Sequence, residues 1–161
     1  MKSRENIYKI TAIILMLDQF IKILVNRYMD LGSSIKIIPN FFSLFYLKNT
    51  GAAFSILEDS TVLLVIISAI VIVLLDRYIK KEKNFTKLSE VGLGLIMGGI
   101  FGNLIDRIIH HGVIDYLSFR IFNYNFPVFN LADMTIVIGV GLLLISMILD
   151  TRKEESKKKW A

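Results

Sequence analysis

The stretch of sequence that decides the fold is VLLVIISAIVIVLL, which occupies residues 62–75. A helix of a soluble bundle carries a polar stripe along its exposed side, whereas the first six residues of this run contain no polar side chain. Three further apolar runs lie at residues 10–25, 91–105 and 134–149. The pattern therefore indicates a mainly α-helical membrane protein with four transmembrane helices.

Each apolar run contains 14 to 16 residues, somewhat fewer than the ~20 that cross a bilayer as a helix. Amphipathic residues at their ends, such as Tyr8, Tyr28 and Tyr78, are of the types that sit at the membrane interface and extend the runs. We therefore predict a single integral membrane domain, residues 1–161, with spans at roughly residues 8–28, 58–78, 88–106 and 131–150.

The composition agrees with this interpretation and excludes several kinds of functional site. The 161 residues are 54% hydrophobic, which is too apolar for an ordinary soluble domain of this length. No cysteine is present, so disulfides, thiolate metal sites and cysteine nucleophiles are excluded. The two histidines, His110 and His111, are adjacent, which is poor spacing for metal ligands. We expect no metal and no other cofactor.

The N-terminus could also be interpreted as a cleaved signal peptide, because basic residues precede its apolar run. That run contains Asp18, Gln19 and Lys22, and no small-residue cleavage site follows it. We therefore expect the segment to be retained as the first span.

The distribution of Lys and Arg predicts the orientation in the membrane. Thirteen of these residues lie in the two terminal tails and the loop between the second and third spans, against five in the other two loops. The positive-inside rule then places both termini and the middle loop in the cytoplasm. The net charge of +5 is explained as a topology signal, and we expect no nucleic-acid partner.

The two outer loops have strand-like patterns. A β-hairpin is predicted for residues 34–47, with its turn at Pro39-Asn40, and a second for residues 113–129. Twelve of the eighteen aromatic residues fall within 41–54 and 101–129. A simple aromatic belt would also appear on the cytoplasmic side. We therefore predict a small extracytoplasmic β-sheet at the membrane surface, with its rings in the headgroup region.

Two carboxylates in these regions are candidates for catalysis. Asp133 ends the segment Phe-Asn-Leu-Ala-Asp at the start of the fourth apolar run, and Asp115 lies in Val-Ile-Asp-Tyr. A carboxylate beside a membrane span is costly to place, which makes it a functional-site hypothesis. Two that meet at one boundary could share a proton as an acid/base pair. The alternative is that both are ordinary solvated interfacial carboxylates.

Further polar residues are predicted at the same outer boundary, and they favour the catalytic interpretation. Asn103, Asp106 and Arg107 recur at i, i+3 and i+4, so one face of the third span carries an amide, an acid and a guanidinium. Asn49 and Asn130 join them under the predicted topology. At the cytoplasmic ends of the spans we expect no equivalent set of amides and carboxylates.

These motifs together resemble the lipoprotein signal peptidase (signal peptidase II) family of bacterial membrane aspartyl endopeptidases. The resemblance covers essentially the whole chain, and no motif position departs from the family pattern. It rests on Asp18-Gln19 with Lys22, Asn49-Thr50-Gly51-Ala52-Ala53-Phe54, Gly102-Asn103-Leu104-Ile105-Asp106-Arg107, Val113-Ile114-Asp115-Tyr116 and Phe129-Asn130-Leu131-Ala132-Asp133.

The resemblance implies roles for the polar residues. It implies that Asp115 and Asp133 are the catalytic dyad. The implied substrate-binding residues are Asn49, Asn103, Arg107, Asn130 and Ala132, and the implied supporting residues are Asp18, Lys22 and Asp106. The implied reaction removes the signal peptide from a diacylglyceryl-modified prolipoprotein just before the lipidated cysteine. It takes place at the extracytoplasmic face of the cytoplasmic (inner) membrane.

Two carboxylates are sufficient for such a hydrolysis. The ionised one accepts a proton from the attacking water, and the protonated one polarises the scissile carbonyl. The sequence leaves open which aspartate has which role, and the pair titrates as a unit. Arg107 and the asparagines are suited to hold substrate carbonyls or to stabilise the oxyanion.

A small proton-coupled transporter or channel is the alternative from another class, with Asp18, Lys22 and Asp106 as relay groups. Such a protein favours midplane acids and broken helices, whereas Asp18 alone lies near mid-span and both prolines lie in outer loops. A purely structural membrane subunit has no need for two aspartates beside three asparagines. We therefore expect a peptidase that acts as a monomer on lipid-modified prolipoproteins within membrane lipid.

Overall fold

The computed structural model describes residues 2–51, 60–122 and 124–159, with side chains up to residue 151. These residues form four helices, α1 (Lys2–Tyr28), α2 (Thr61–Lys81), α3 (Lys87–His110) and α4 (Leu131–Lys159). Strands β1 (Ser34–Ile38) and β2 (Phe42–Asn49) follow α1, and β3 (Val113–Ile121) and β4 (Tyr124–Asn125) follow α3. The prediction of a mainly helical protein with a small sheet is confirmed.

Three of these helices are long and apolar enough to cross a membrane, judged by length and composition: α2, α3 and the part Leu131–Thr151 of α4. Helix α1 has 27 residues but is not among them. Large apolar side chains are exposed along the helices, among them Phe20, Val62 and Val137, as expected for surfaces that contact lipid. The predicted spans are thus matched by three candidate helices, and a span through α1 stays a prediction.

Helix α3 is the centre of the bundle because its glycines let the neighbouring helices approach closely. Of its most apolar 18-residue stretch, 56% is buried inside the protein, against 6% of the corresponding stretch of α2. A Cβ atom at Gly98 would lie 2.6 Å from Ile14 Cβ on α1, and one at Gly99 would lie 2.5 Å from the Ala132 carbonyl oxygen on α4. Neither contact leaves room for a side chain, so α1 and α4 are held against α3 at backbone distance.

The strands form one antiparallel sheet in the order β1-β2-β3-β4. The two predicted hairpins are present, β1–β2 with its turn at residues 39–41 and the shorter β3–β4. Strands β2 and β3 pair with each other and so connect the two hairpins, with Leu44 opposite Leu117 and Leu47 opposite Asp115. The extra β2 residue between these pairs is a β-bulge, and it turns the end of β2 relative to the rest of the sheet.

The sheet is attached to the C-terminal end of α1 by a buried cluster. Val25 of α1 packs with Tyr46, Ile114 and Tyr116 of the sheet. The Tyr46 hydroxyl also donates to Asn26 Oδ1 at 2.8 Å. Because β3 begins soon after the end of α3, this contact holds the first half of β3 beside the end of that helix.

Candidate active site

Asp115 lies in the first half of β3 and is almost completely buried, with 2% of its surface exposed. Both of its carboxylate oxygens accept a hydrogen bond from a side-chain amide. Asn49 Nδ2, at the end of β2, donates to Oδ2 at 3.0 Å, and Asn130 Nδ2 donates to Oδ1 at 2.7 Å. The orientation of the carboxyl is therefore set by groups from two separate elements.

Asp133 lies in the first turn of α4 and is partly exposed. Its Oδ1 accepts from Asn103 Nδ2 of α3 at 2.7 Å, and its Oδ2 accepts from the Asn130 N–H at 3.2 Å. In return, Asn130 Oδ1 accepts from the Asp133 N–H at 3.0 Å. The pair has the form of a capping box, with Asn130 as the N-cap. The same bonds therefore start α4 and position Asp133.

Asn130 connects the two aspartates directly. Its side chain donates to the Asp115 carboxyl and accepts from the Asp133 backbone, and it is fully buried, with 0% exposed. Its Nδ2 also donates to Asn103 Oδ1 at 3.1 Å. The two carboxylates are thus members of one continuous hydrogen-bonded set that spans β3, α3 and the start of α4.

The pKa of Asp115 is raised from 3.8 to about 7. Burial is the largest cause, because it disfavours the charged form, and the nearby Asp133 carboxylate acts in the same direction. The hydrogen bonds from Asn49 and Asn130 oppose this rise. A carboxyl with such a pKa exchanges its proton near neutral pH, which suits a general acid or base.

A buried cluster of three charged residues joins α1 to α3. The Lys22 ammonium lies 2.8 Å from Asp18 Oδ2 and 2.9 Å from Asp106 Oδ2, and all three side chains are at most 2% exposed. Lys22 Nζ also donates to Asn103 Oδ1 at 3.0 Å. Since an ammonium has no acceptor, this contact directs the Asn103 oxygen to Lys22 and leaves its NH₂ group to face Asp133.

Both acids of this cluster also accept from the backbone beside the candidate aspartates. Asp18 Oδ1 accepts from the Ala132 N–H at 3.0 Å, and Asp106 Oδ2 accepts from the Ile114 N–H at 3.0 Å. Each of these N–H groups belongs to the residue immediately before one of the two aspartates. The ion cluster therefore holds the backbone on both sides of the site.

A cavity of about 610 Å³ lies beside the two carboxylates. Its polar lining consists of the two aspartates with Asn49, Asn103 and Arg107. Arg107 Nη1 donates to the Asn103 carbonyl oxygen at 3.2 Å, so the guanidinium is held at the wall. Apolar residues form the rest: Val113, Phe126, Pro127, Val128, Phe129, Met134, Ile136, Val137 and Ile138. An apolar cavity with a few convergent polar groups is the usual form of a ligand site.

The predicted site residues are therefore divided into three groups. Asn49, Asn103, Arg107, Asp115 and Asp133 line the cavity. Asp18, Lys22 and Asp106 form the ion cluster. Asn130 and Ala132 are fully buried, each with 0% exposed, and neither lines the cavity. Residues 52–54 of the predicted 49–54 motif, and Asn123 of the second hairpin, lie outside the described residues.

Two further residues support the site without being among its predicted members. Gln19 Nε2 donates to Asp106 Oδ1 at 2.9 Å, and the Tyr116 hydroxyl accepts from the Leu131 N–H at 3.2 Å. Each directly follows an aspartate of a sequence motif, Asp18 or Asp115, which is the signal that could have identified it. The apolar cavity wall has no comparable sequence signal.

Comparison with known proteins gives a consistent result. The sequence model of the family described as Signal peptidase (SPase) II matches residues 10–149. The chain is 42% identical to a lipoprotein signal peptidase of Halalkalibacterium halodurans over 151 residues, which cover 94% of this chain and 97% of the relative. Two bacterial membrane enzyme structures, obtained by the in meso method at 2.3 Å and 1.9 Å resolution, are each 33% identical, with TM-scores of 0.82 and 0.77. They cover 88% and 86% of this chain, and 87% and 89% of their own.

Proposed function

This chain belongs to the signal peptidase II family, and we propose that it cleaves the signal peptide from lipid-modified prolipoproteins with Asp115 and Asp133 as its catalytic pair. Membership of the family makes it a protease, and the aspartic mechanism is our assignment. The observation that carries it is the bridge formed by Asn130, which holds both carboxyl-bearing residues in one hydrogen-bonded set at the polar end of an apolar cavity.

We assign the acid role to Asp115 and the base role to Asp133. The raised pKa of Asp115, about 7, favours its protonated form. Asp133 is partly exposed and lines the same cavity, so the role of the base falls to it. Asp133 takes a proton from the attacking water, and Asp115 donates a hydrogen bond to the scissile carbonyl.

The resulting tetrahedral intermediate collapses when the C–N bond breaks. The proton taken by Asp133 passes to the leaving amine, which belongs to the lipidated cysteine, and the signal peptide leaves as a carboxylic acid. Arg107 lines the same cavity and is suited to stabilise the oxyanion because its charge lies beside the polar end. The apolar wall accommodates the lipid-bearing segment of the substrate while its acyl chains remain in the bilayer.

The buried predicted residues act by positioning. Asn130 and Ala132 hold the start of α4 through the bonds to Asp133 and Asp18, so we assign them to the geometry of the dyad instead of direct substrate contact. Because Lys22 is paired with Asp18 and Asp106, these groups are committed to one another, which argues against their use as a proton relay in a transporter.

We also propose that α1 is a fourth span and that the sheet lies at the outer surface of the cytoplasmic membrane. The charges of Asp18 and Lys22 are neutralised inside the bundle, so they do not prevent α1 from crossing lipid. Both termini then lie in the cytoplasm, and the whole chain is one integral domain that acts as a monomer. The site lies where the bilayer meets the outer aqueous phase.

The test of the proposed function is incubation of the purified protein with a preprotein in two forms, with and without the diacylglyceryl group. We expect cleavage of the lipidated form alone, just before the lipidated cysteine, detected by mobility shift and mass spectrometry. Equal cleavage of both forms would contradict the proposed substrate class, and cleavage of neither would contradict the peptidase assignment.

A further inference from the structure

The sheet carries polar side chains on the face opposite the catalytic aspartate. Successive side chains of a strand point to alternate faces, so Ser118 and Arg120 of β3 lie on that opposite face. The register places Ser43 of β2 opposite Ser118, and Lys36 of β1 opposite Ser43. Asn125 of β4 is opposite Arg120. Each of the four strands thus contributes a polar side chain to one face.

These five residues (Lys36, Ser43, Ser118, Arg120 and Asn125) line a pocket of about 250 Å³, which we call the sheet pocket. Its lining contains no Asp or Glu among the described residues. Lysine and arginine supply positive charge and several N–H donors, and the hydroxyl and amide groups supply neutral donors. Such a set is complementary to an anion with several oxygens, above all a phosphate group.

The surroundings of the sheet pocket are apolar and exposed. Ile38 and Phe41, which also line it, are 49% and 46% exposed. Phe122, two residues after Arg120, is 99% exposed and has a φ of 47°, a costly backbone conformation for a bulky residue. Exposure of such side chains to water is unfavourable, whereas aromatic rings are favoured in a lipid headgroup layer.

The location of the sheet pocket relative to α1 agrees with this environment. On the same strand face, Ile114 and Tyr116 pack against Val25 near the C-terminal end of α1. From Tyr116 to Arg120 the strand advances only about 13 Å, at roughly 3.3 Å per residue. The pocket therefore lies close to the end of the helix, where the headgroup layer begins if α1 crosses the membrane.

We propose that the sheet pocket binds the phosphate of an anionic phospholipid headgroup in the outer leaflet, while Ile38, Phe41 and Phe122 insert among neighbouring lipids. The inference rests on the outer-surface placement of the sheet proposed above. The bound lipid is a resident of the bilayer, on the side of the sheet away from the cavity, and is separate from the substrate's own acyl chains. It holds the sheet at a fixed level relative to the membrane.

A fluorescence experiment tests this binding without substrate. Trp160 is the only tryptophan of the chain, so Trp160→Phe combined with Phe122→Trp leaves one reporter beside the sheet pocket. The protein is placed in phosphatidylcholine nanodiscs that contain a minority of phosphatidylglycerol, with bromine on the acyl chains of one lipid or the other. Brominated phosphatidylglycerol should quench well beyond its mole fraction, with an enrichment of roughly fivefold or more.

Two double variants decide the origin of this excess quenching. Lys36→Gln with Arg120→Gln should remove it, whereas Arg27→Gln with Lys48→Gln should retain it, because neither of the latter residues lines the sheet pocket. The proposal would be overturned if the parent protein shows no excess quenching. It would also be overturned if the excess persists in the first double variant, or if it disappears equally from both double variants. Its removal by added inorganic phosphate would also overturn the lipid assignment and indicate a site for free anions.

The outcome is independent of the proposed peptidase activity, because binding is measured by quenching and not by cleavage. An unchanged thermal midpoint of the Lys36→Gln, Arg120→Gln protein in detergent shows that the variant is folded. If neither brominated lipid quenches the introduced tryptophan in any variant, the sheet does not contact the bilayer. The inference then fails while the assignment of the aspartates can still stand.

Discussion

Asn130 donates a 2.7 Å hydrogen bond from its Nδ2 to Oδ1 of Asp115. The other atom of the same amide, Oδ1, accepts the Asp133 N–H and caps α4. One buried side chain therefore performs two tasks, a helix cap and a donor to the proposed catalytic acid, and substitutions can separate them.

Replacement of Asn130 by aspartate should retain the cap and remove the donor. Asp and Asn are about equally good at an N-cap, but the introduced carboxylate would lie beside that of Asp115. We expect cleavage to fall by about tenfold or more, since a buried acceptor left without its donor costs about 1–3 kcal/mol. The thermal midpoint in detergent should fall as well, because the introduced carboxylate is buried beside Asp115. Asn130→Ala should remove both the cap and the donor. Loss of the cap should lower the free energy of unfolding by about 0.5–2 kcal/mol. Near-normal cleavage by Asn130→Asp would contradict this role.

Asp115→Asn and Asp133→Asn should each abolish cleavage and leave a folded protein. Asn has nearly the same shape as Asp and still forms hydrogen bonds, but it cannot exchange the proton that the mechanism needs. The double variant should be little worse than either single one, because residues that act as a unit are strongly non-additive. The measurement is the mobility shift of the lipidated preprotein. Appreciable turnover by either well-folded single variant would contradict the two-aspartate mechanism.

Cleavage should decrease as the pH rises above about 7, because the proposed acid, Asp115, has a pKa of about 7 and must be protonated. The value belongs to the coupled pair, so the profile reports an apparent pKa. The rate is measured across the pH range in detergent with lipidated preprotein well below saturation, because kcat/KM reports the pKa values of the free enzyme. A rate that instead increases through pH 7 to a plateau would reverse the roles assigned to Asp115 and Asp133.

The same pKa predicts a pH dependence of stability. The folded-state pKa of Asp115, about 7, lies above its ordinary value of 3.8, so between these values the folded protein retains a proton that the unfolded chain releases. The contribution to stability is fully present below about pH 4 and is lost as the pH rises through about 7. Asp115→Asn should flatten this part of the Tm profile. An unchanged slope in the variant would assign the pH dependence to another group.

Asp18→Ala should destabilise the protein. It removes one of the two carboxylates that neutralise Lys22 and leaves the Ala132 N–H without its acceptor. Breaking a buried ion pair typically costs about 3–5 kcal/mol, so yield and thermal midpoint in detergent should fall. Asp18→Asn is the matched control, because its side-chain oxygen can still accept from Ala132, and it should lose less. A fully stable but inactive Asp18→Ala protein would indicate a direct catalytic part for Asp18.

Topology can be tested with introduced cysteines, since the chain has none of its own. Cysteines at Ser34 and Asn125 should be labelled by a membrane-impermeant thiol reagent in intact cells, because both lie in the proposed outer sheet. Cysteines at Lys2 and Asn84 should be labelled only after the cells are permeabilised. Labelling of Lys2 together with Ser34 in intact cells would show that α1 does not cross the membrane.

The sequence alone determined the elements and the identity of the charged candidates. Continuous apolar runs predict helices, and alternating segments with turn residues predict the hairpins, because both patterns are local. The two aspartates could be identified because a carboxylate is costly beside apolar segments. The grouping of Asn103, Asp106 and Arg107 on one helical face also followed from spacing alone.

Only the tertiary structure decided which partner each of these residues contacts and therefore which role it has. Asp106 contacts Lys22, whereas Asn103 contacts Asp133 and Arg107 lines the cavity, so one predicted face serves three purposes. The bridging position of Asn130 depends on the approach of β3 to the start of α4. Contacts of this kind, such as the one between Asp18 and Ala132 across 114 positions, result from close helix packing and strand register. Local sequence patterns carry no information on either, because each partner's side chain is compatible with many neighbours until the backbones are in place.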